Sequence, residues 1–337
     1  MLTTYRNISL KQFNTFNIDA KANTFYKATN INDLKEAIRL VKESEQELLV
    51  LGGGSNILFK SDYNGAIVHP SIKGIEILTE TDDNTTIKVG AGVEWDKLVE
   101  HTVNMGIGGF ENLSLIPGNV GASPIQNIGA YGVEAKDSIE KVCGIFTDNL
   151  ETFELNNKEC KFGYRDSIFK NELKGKIIVT HVTYKLNKKP TLITHYGNME
   201  DELEALGGAS LQNVRNAVIN IRNAKLPDPE ELGNAGSFFK NPIVDVILVK
   251  QIGEHFDNVP FYPVNEKFVK LPAGWLIDKC GWKGKRVGNV GVHKNQALVL
   301  VNYGGATGEE VINLAQDIRK SVLQRFNIPL EMEVNMV

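Results

Sequence analysis

Residues 113–132 read LSLIPGNVGASPIQNIGAYG, and this stretch decides the fold class. It holds glycines at 118, 121, 129 and 132, with small or amide side chains between them and no charge. A segment that long, interrupted so often by glycine, proline and amide residues, is not ordinary core. Ordering it costs enough entropy that it needs a ligand or a packing role in return. Glycine admits positive φ and lets main-chain amides approach a bound group closely. Successive inward amides form a nest for phosphate. A second cluster, Gly52-Gly53-Gly54-Ser55-Asn56, is another such device. Two of them suit a dinucleotide better than a single phosphate.

The totals narrow the rest. A chain of 337 residues is too long for one small core and predicts two or three domains. Its 42% hydrophobic and 23% charged residues fit a soluble globular protein. A net charge of −4 argues against a nucleic-acid partner, which would call for a basic surplus. No apolar run has the length of a membrane span, so no membrane partner is expected. The start, MLTTYRNISLKQF, lacks the apolar segment of a signal peptide. Cys143, Cys160 and Cys280 are widely spaced with no CxxC. They read as small buried thiols of a reduced, cytoplasmic protein, and no metal site is expected.

Hydrophobic spacing predicts the elements. Asn32 is placed to cap a helix whose buried face is Leu34, Ala37, Ile38 and Val41. Glu47 to Leu51 reads as a buried strand entering GGGSN, with further strands at Ile57-Leu58-Phe59, Ala66-Ile67-Val68 and Thr85 to Val89. Trp95, Leu98, Val99 and Thr102 line one helix face, and strands are expected near Val142–Phe146 and Lys176–Leu186. His195-Tyr196-Gly197 makes a turn before two helices, the second with Leu211, Val214, Val218 and Ile221 on one side. Pro227-Asp228-Pro229 reads as a hinge. Thr307 and Glu310 form a capping box for a helix burying Val311, Leu314, Ala315, Ile318 and Val322. The closing LEMEVNMV alternates as a strand.

GGGSN does not open a G-x-G-x-x-G helix, since Ile57 continues as strand, and no Gly-Lys-Ser/Thr marks a Walker loop. Any phosphate contacts must come from turns between strands. Here a resemblance becomes specific. GGGSN followed by PGNVGASPIQNIGAYG resembles the FAD-binding half of the UDP-N-acetylenolpyruvoylglucosamine reductase family. Asn14-Thr15-Phe16, Tyr164-Arg165-Asp166-Ser167 and GSFFKNP at 236–242 fit it too, as do AGWLID at 273–278 and LEMEV at 330–334. The blocks run through almost the whole chain in order, and the insert around Tyr196 is similar to that of the longer of the family's two types.

The resemblance implies an α/β (α+β) protein with the FAD-binding fold of the vanillyl-alcohol-oxidase-like type in two subdomains, plus a C-terminal α/β substrate-binding domain. The expected bounds are 1–70 for the first subdomain, 71–227 with 328–337 for the second (insert 187–227), and 228–327 for the substrate domain. It implies FAD, held noncovalently because GGGSN offers no His or Cys tether. The expected cofactor residues are Gly52, Gly53, Gly54, Ser55, Asn56, Pro117, Gly118, Gly121, Ser123, Ile125, Gln126, Asn127 and Gly129.

The implied reaction reduces UDP-N-acetylglucosamine enolpyruvate to UDP-N-acetylmuramate in peptidoglycan synthesis. NADPH is the co-substrate, and hydride passes by way of flavin N5 to C3 of the enolpyruvyl group, with protonation at C2. Charge developing at C2 and on the carboxylate calls for prepositioned donors, typically worth roughly 3–4 kcal/mol each. A positioned acid adds about 10²–10⁴-fold. By resemblance the carboxylate falls to Arg165, whose always-charged fork matches two oxygens; out of that context it would read as a solvated loop arginine. Ser237 is the implied proton donor, in what reads as a tight turn over Asn234–Phe238. Glu333 completes the trio, useful only if it is protonated or relays a proton. The residue pattern alone does not choose it over Glu331.

The resemblance also places Tyr131, Tyr164, Tyr196, Lys225, Asn241, Tyr262, Lys270 and Gln296 about the nucleotide-sugar substrate. Tyr196 on its turn would act as a lid. With no separate dinucleotide fingerprint, NADPH and substrate are expected to share one pocket in turn, and a monomer is expected. Two rivals are another flavin oxidoreductase of the same fold, such as an alcohol or lactone oxidase, and a nucleotide-binding module without catalysis.

Overall fold

A computed structural model describes residues 2–337. The chain forms two compact units, and each is interleaved in sequence. The first comprises residues 2–8, 22–53 and 64–223; the second comprises 9–21, 54–63 and 224–337. Residues 328–337 thus belong with 228–327, and the glycine cluster is divided between Gly53 and Gly54.

The first unit is built on two sheets. A four-stranded sheet has the order Thr3–Ser9, Lys21–Ala28, Tyr63–Pro70, Leu48–Val50. A five-stranded antiparallel sheet runs Thr152–Asn156, Ile139–Phe146, Ile177–Asn187, Asn84–Gly90, Ile75–Glu80. Helix α1, Ile31–Glu43, buries Leu34, Ala37, Ile38 and Val41. They pack with Ala66 and Val68 of one sheet and Ile145 and Ile178 of the other. Its cap is Asn30 rather than Asn32: the Asn30 side chain accepts from the Asp33 amide at 2.9 Å. A cap acts on the amides two or three residues on, so apolar periodicity alone leaves it ambiguous by a couple of positions. The strand expected at 47–51 is shorter, Leu48–Val50, and only half-buried.

Helix α2, Trp95–Asn104, buries Trp95, Leu98, Val99 and Thr102 on the predicted face. Trp95 also packs on Phe110, and its indole N–H donates to the Leu113 carbonyl at 2.9 Å. That bond anchors the start of the glycine-rich segment. Helices α3, Met199–Ala205, and α4, Leu211–Lys225, close on a small core of Met199, Leu203, Val214, Val218 and Ile221. Tyr131 packs against it.

The second unit carries helices α5, Val246–Gly253, α6, Ala273–Lys279, and α7, Gly308–Phe326. Both arms of the Thr307/Glu310 capping box form on α7. The four-stranded sheet has the order Gly233–Ser237, Val299–Asn302, Val290–Val292, Arg286–Val287. A three-stranded sheet places Phe268–Lys270 between Ile243–Asp245 and Tyr262–Pro263. Two expectations change here. Residues 57–59 give only Ile57–Leu58, which pairs in parallel with Asn335–Met336. The closing LEMEVNMV is therefore not one strand: Met332 bridges Phe239 and only Asn335–Met336 joins Ile57–Leu58.

Candidate active site

In the first unit the two glycine-rich segments meet main chain to main chain. A Cβ on Gly53 would lie 2.7 Å from the Gly118 Cα, and one on Gly121 would lie 2.6 Å from the Ala91 Cβ. Side chains at either place are excluded, which is why glycine stands there. Among the described residues, the amides of Gly52, Gly53, Gly118 and Asn119 donate to no main-chain carbonyl. Such amides seek an acceptor. A close-packed glycine backbone with such amides is compatible with the diphosphate of a dinucleotide such as FAD.

The segment beyond is braced from within. Val120 and Gly121 donate to the Val93 and Ala91 carbonyls at 2.8 and 2.9 Å. Ser123 is buried, and its Oγ donates to the Val120 carbonyl at 2.8 Å and lies 2.7 Å from the Tyr184 hydroxyl. Asn127 is fully buried and donates to Glu134 and to the Gly163 carbonyl, both at 3.0 Å, while accepting from the Lys136 amide at 2.9 Å. The Ile125 carbonyl accepts from Ser167 Oγ at 2.6 Å. Ser123 and Asn127 thus spend their side chains on holding the loop.

Arg165 stands at the exit of this loop. Its Nη2 donates to the Gly129 carbonyl at 2.9 Å, and a Cβ on Gly129 would come within 3.3 Å of its Nη1. Its guanidinium lies 5.8 Å from the Tyr164 ring centroid. Leu115, Asn127, Tyr131 and Arg165 all adopt positive φ, from 48° to 58°. For bulky residues this conformation costs on the order of 1 kcal/mol or more each, and such strain concentrates at functional sites. Tyr131 meets Tyr196 edge to face at 6.1 Å. Burial raises the Tyr131 phenol's pKa, with Arg222 opposing it.

In the second unit Asn14 ties its loop by bonds to the Leu10 and Ile18 carbonyls and from the Ile18 amide. Thr15 then donates to the Gly54 carbonyl at 3.1 Å. A Cβ on Gly54, at φ +66°, would lie 1.9 Å from the Phe13 carbonyl oxygen. Asn56 Nδ2 reaches the Glu333 carbonyl at 3.4 Å.

Ser237 is exposed at the end of the strand Gly233–Ser237. The segment read as a turn is a strand with a bulge after Asn234, where the Gly236 amide donates to the Asn234 side chain at 3.0 Å. Glu333 is half-buried, and its amide donates to the Phe238 carbonyl at 2.8 Å. Glu331 is instead exposed and ion-paired with Lys240.

Five expected substrate residues fall in this unit: Lys225, Asn241, Tyr262, Lys270 and Gln296. Tyr262 lies opposite Lys270 in the three-stranded sheet. Asn241 accepts from the Ala273 amide at 2.9 Å, and Gln296 Oε1 lies 2.9 Å from where a Cβ on Gly274 would stand. Asn241 and Gln296 thus both meet the start of α6. Lys225 is exposed at the end of α4. Residue patterning missed Arg222 and the Asp96–Arg215 pair. Their signal was two arginines seven apart, thus on one side of α4, beside its apolar residues.

The fold and the paired glycine loops define a flavoprotein: residues 22–146 match the family model described as FAD binding domain. Residues 228–337 match that of the UDP-N-acetylenolpyruvoylglucosamine reductase C-terminal domain. UDP-N-acetylenolpyruvoylglucosamine reductase of Flavobacterium johnsoniae is 49% identical over 335 residues, covering 98% of each chain. That of Bacteroides fragilis is 46% identical over 331 residues, again with 98% of each covered. The crystal structure of the Thermus caldophilus reductase superposes with a TM-score of 0.70 at 25% identity, covering 100% of this chain and 99% of that one. The chain belongs to the UDP-N-acetylenolpyruvoylglucosamine reductase family.

Proposed function

We propose that the protein reduces the enolpyruvyl group of UDP-N-acetylglucosamine enolpyruvate to the lactyl ether of UDP-N-acetylmuramate, with NADPH as reductant, in peptidoglycan synthesis. The observation that carries this reading is the 49% identity to a reductase of that name along 98% of both chains. Noncovalent FAD supplies the hydride acceptance and delivery that no side chain can. Gly52, Gly53, Gly118 and Gly121 would hold it through main chain, since side chains at 53 and 121 are excluded by their neighbours.

The protein's own residues handle charge and protons. When C3 of the enolpyruvyl group takes hydride, negative charge moves through C2 into the carboxylate. Arg165 meets that carboxylate with its fork, its orientation preset by the Gly129 carbonyl. Ser237 donates the proton to C2, and Glu333 stands behind it to relay the replacement. Tyr262, Lys270, Asn241, Gln296 and Lys225 hold the nucleotide sugar, and Tyr196 closes over it. NADPH and the substrate use one pocket in turn, which predicts ping-pong kinetics with inhibition by excess substrate. The enzyme works as a cytoplasmic monomer and serves cell shape and division through the wall. Among the described residues, no helix is long and apolar enough to cross a membrane, and no cluster of His, Cys, Asp and Glu is arranged to hold a metal.

Chromatography with mass detection tests the reading. One UDP-N-acetylmuramate should form per NADPH oxidised. Oxygen consumption with a sugar or lactone, without NADPH turnover, would favour an oxidase of this fold instead.

A further inference from the structure

Arg222 lies in the last turn of α4, inside the first unit. Its Nε is buried with no hydrogen-bond partner among the described residues. Asp96 is the carboxylate whose charge reaches it, but Asp96 is already engaged. Arg215, one face-repeat earlier on the helix, grips both Asp96 oxygens at 2.7 and 3.0 Å, and the Leu115 amide donates to Asp96 as well. Arg165 adds a second positive charge, and the Tyr131 phenol is near. The carboxylate that reaches Arg222 is thus already paired with Arg215, while Arg165 adds charge of like sign. A cation at a helix C-terminus eases the helix dipole, but that role would give its donors the helix's own end carbonyls, and Nε has no acceptor. A guanidinium Nε buried without an acceptor is costly unless a ligand completes it.

We propose that Arg222 is a second oxyanion-binding residue, set with Arg165 to hold a carboxylate or diphosphate oxygen of the nucleotide-sugar substrate. This rests on the reductase reading above. Two guanidiniums sharing one anion make the substrate's charge part of the unit's electrostatic balance. Burial, with Arg165 adding to it, pushes the Arg222 pKa down, while Tyr131 and Asp96 oppose the shift. The side chain is thus destabilised in the free enzyme, which makes an anion's arrival more favourable.

The test uses flavin-loaded full-length enzyme and the variants R222M and R222K. The flavin spectrum is titrated with UDP-N-acetylglucosamine enolpyruvate and separately with UDP-N-acetylglucosamine, which lacks the carboxylate. R222M should bind the enolpyruvyl substrate at least tenfold more weakly, with the flavin-to-protein absorbance ratio unchanged and a Tm no lower than wild type. R222K should recover part of the affinity. Weakening of the enolpyruvyl compound alone assigns the carboxylate; equal weakening of both compounds assigns the diphosphate. Wild-type affinity in R222M overturns the proposal. So does flavin loss with substrate affinity intact, or a lowered Tm with weak binding that R222K fails to recover. A wild-type enzyme whose flavin ignores the enolpyruvyl substrate overturns the reductase reading as well, whereas normal turnover in both wild type and R222M overturns only the role of Arg222.

Discussion

The amide of Glu333 donates a 2.8 Å hydrogen bond to the carbonyl of Phe238, the residue after Ser237. The Lys240 amide repeats the pattern on the Glu331 carbonyl at 2.9 Å, with Met332 bridged to Phe239 between them. Ser237 and Glu333 are therefore set relative to each other by main-chain pairing inside one unit, not by a side-chain contact that a rotamer change would undo. The same register puts Glu331 opposite Lys240, where the two pair. A two-residue slip would exchange the glutamates.

The first prediction follows from the proton that C2 needs. S237A should keep the NADPH half-reaction within about twofold of wild type and slow the substrate half-reaction by about 10²-fold or more. Stopped-flow absorbance reads the two halves separately. Equal slowing of both would contradict the proton-donor role.

The register makes the two glutamates unequal. E333Q should lower the substrate half-reaction by about 10²-fold. E331Q should leave both halves unchanged, because it removes only an exposed ion pair, generally worth about 1 kcal/mol or less. Matching losses in the two variants would show that the half-burial of Glu333 has no functional meaning.

Glycine at 53 is a steric requirement. In G53A the new methyl would stand 2.7 Å from the Gly118 Cα, and overpacking of this kind costs about 1–3 kcal/mol. The variant should purify with less bound flavin and a lower Tm. A Cβ at Gly52 meets nothing closer than the Ala122 Cβ at 3.9 Å, so G52A should keep the wild-type Tm. Calorimetry with absorbance ratios checks both.

The Asp96–Arg215 pair sets an acid limit on the first unit. Burial alone would raise the Asp96 carboxyl, but the Arg215 hydrogen bonds, the Leu115 amide and the Arg215 charge outweigh it and hold it below its ordinary value. A depressed folded-state pKa gives stability that is complete above the unfolded value of about 3.9 and lost as pH falls through the folded one. D96N should cost about 2–3 kcal/mol at pH 7, less than a fully buried pair because Asp96 keeps 21% of its exposure. The gap in Tm between wild type and D96N should close below about pH 4. A gap that widens in acid would contradict the pairing.

Local rules made much of this fold legible. The Thr307/Glu310 box and the Trp95, Leu98, Val99, Thr102 face need only residues within a few positions of one another, and both stand as read. The 234–238 segment was not legible, because glycine and alanine carry no alternation; its strand is made by pairing with Val299–Asn302, far away in sequence. LEMEVNMV keeps the expected alternation only in part: Leu330 and Val334 are buried, but Met336 is exposed like Asn335, because its partners change midway from Phe239 to Ile57–Leu58. At the site, glycines announced close main-chain approach, whereas the buried bracing by Ser123 and Asn127 depends on Tyr184, Glu134 and Gly163 and has no short-range signature. Arg222 stayed hidden because a charge beside an apolar helix face looks like a solvated edge until the burial of its Nε is seen.

Anaerobic stopped-flow absorbance at the flavin band tests the central claim most directly. NADPH alone should bleach the band of the purified protein, and UDP-N-acetylglucosamine enolpyruvate added next should restore it while UDP-N-acetylmuramate forms. A band that NADPH bleaches but only oxygen restores, or a colourless protein that takes up no FAD, would contradict it.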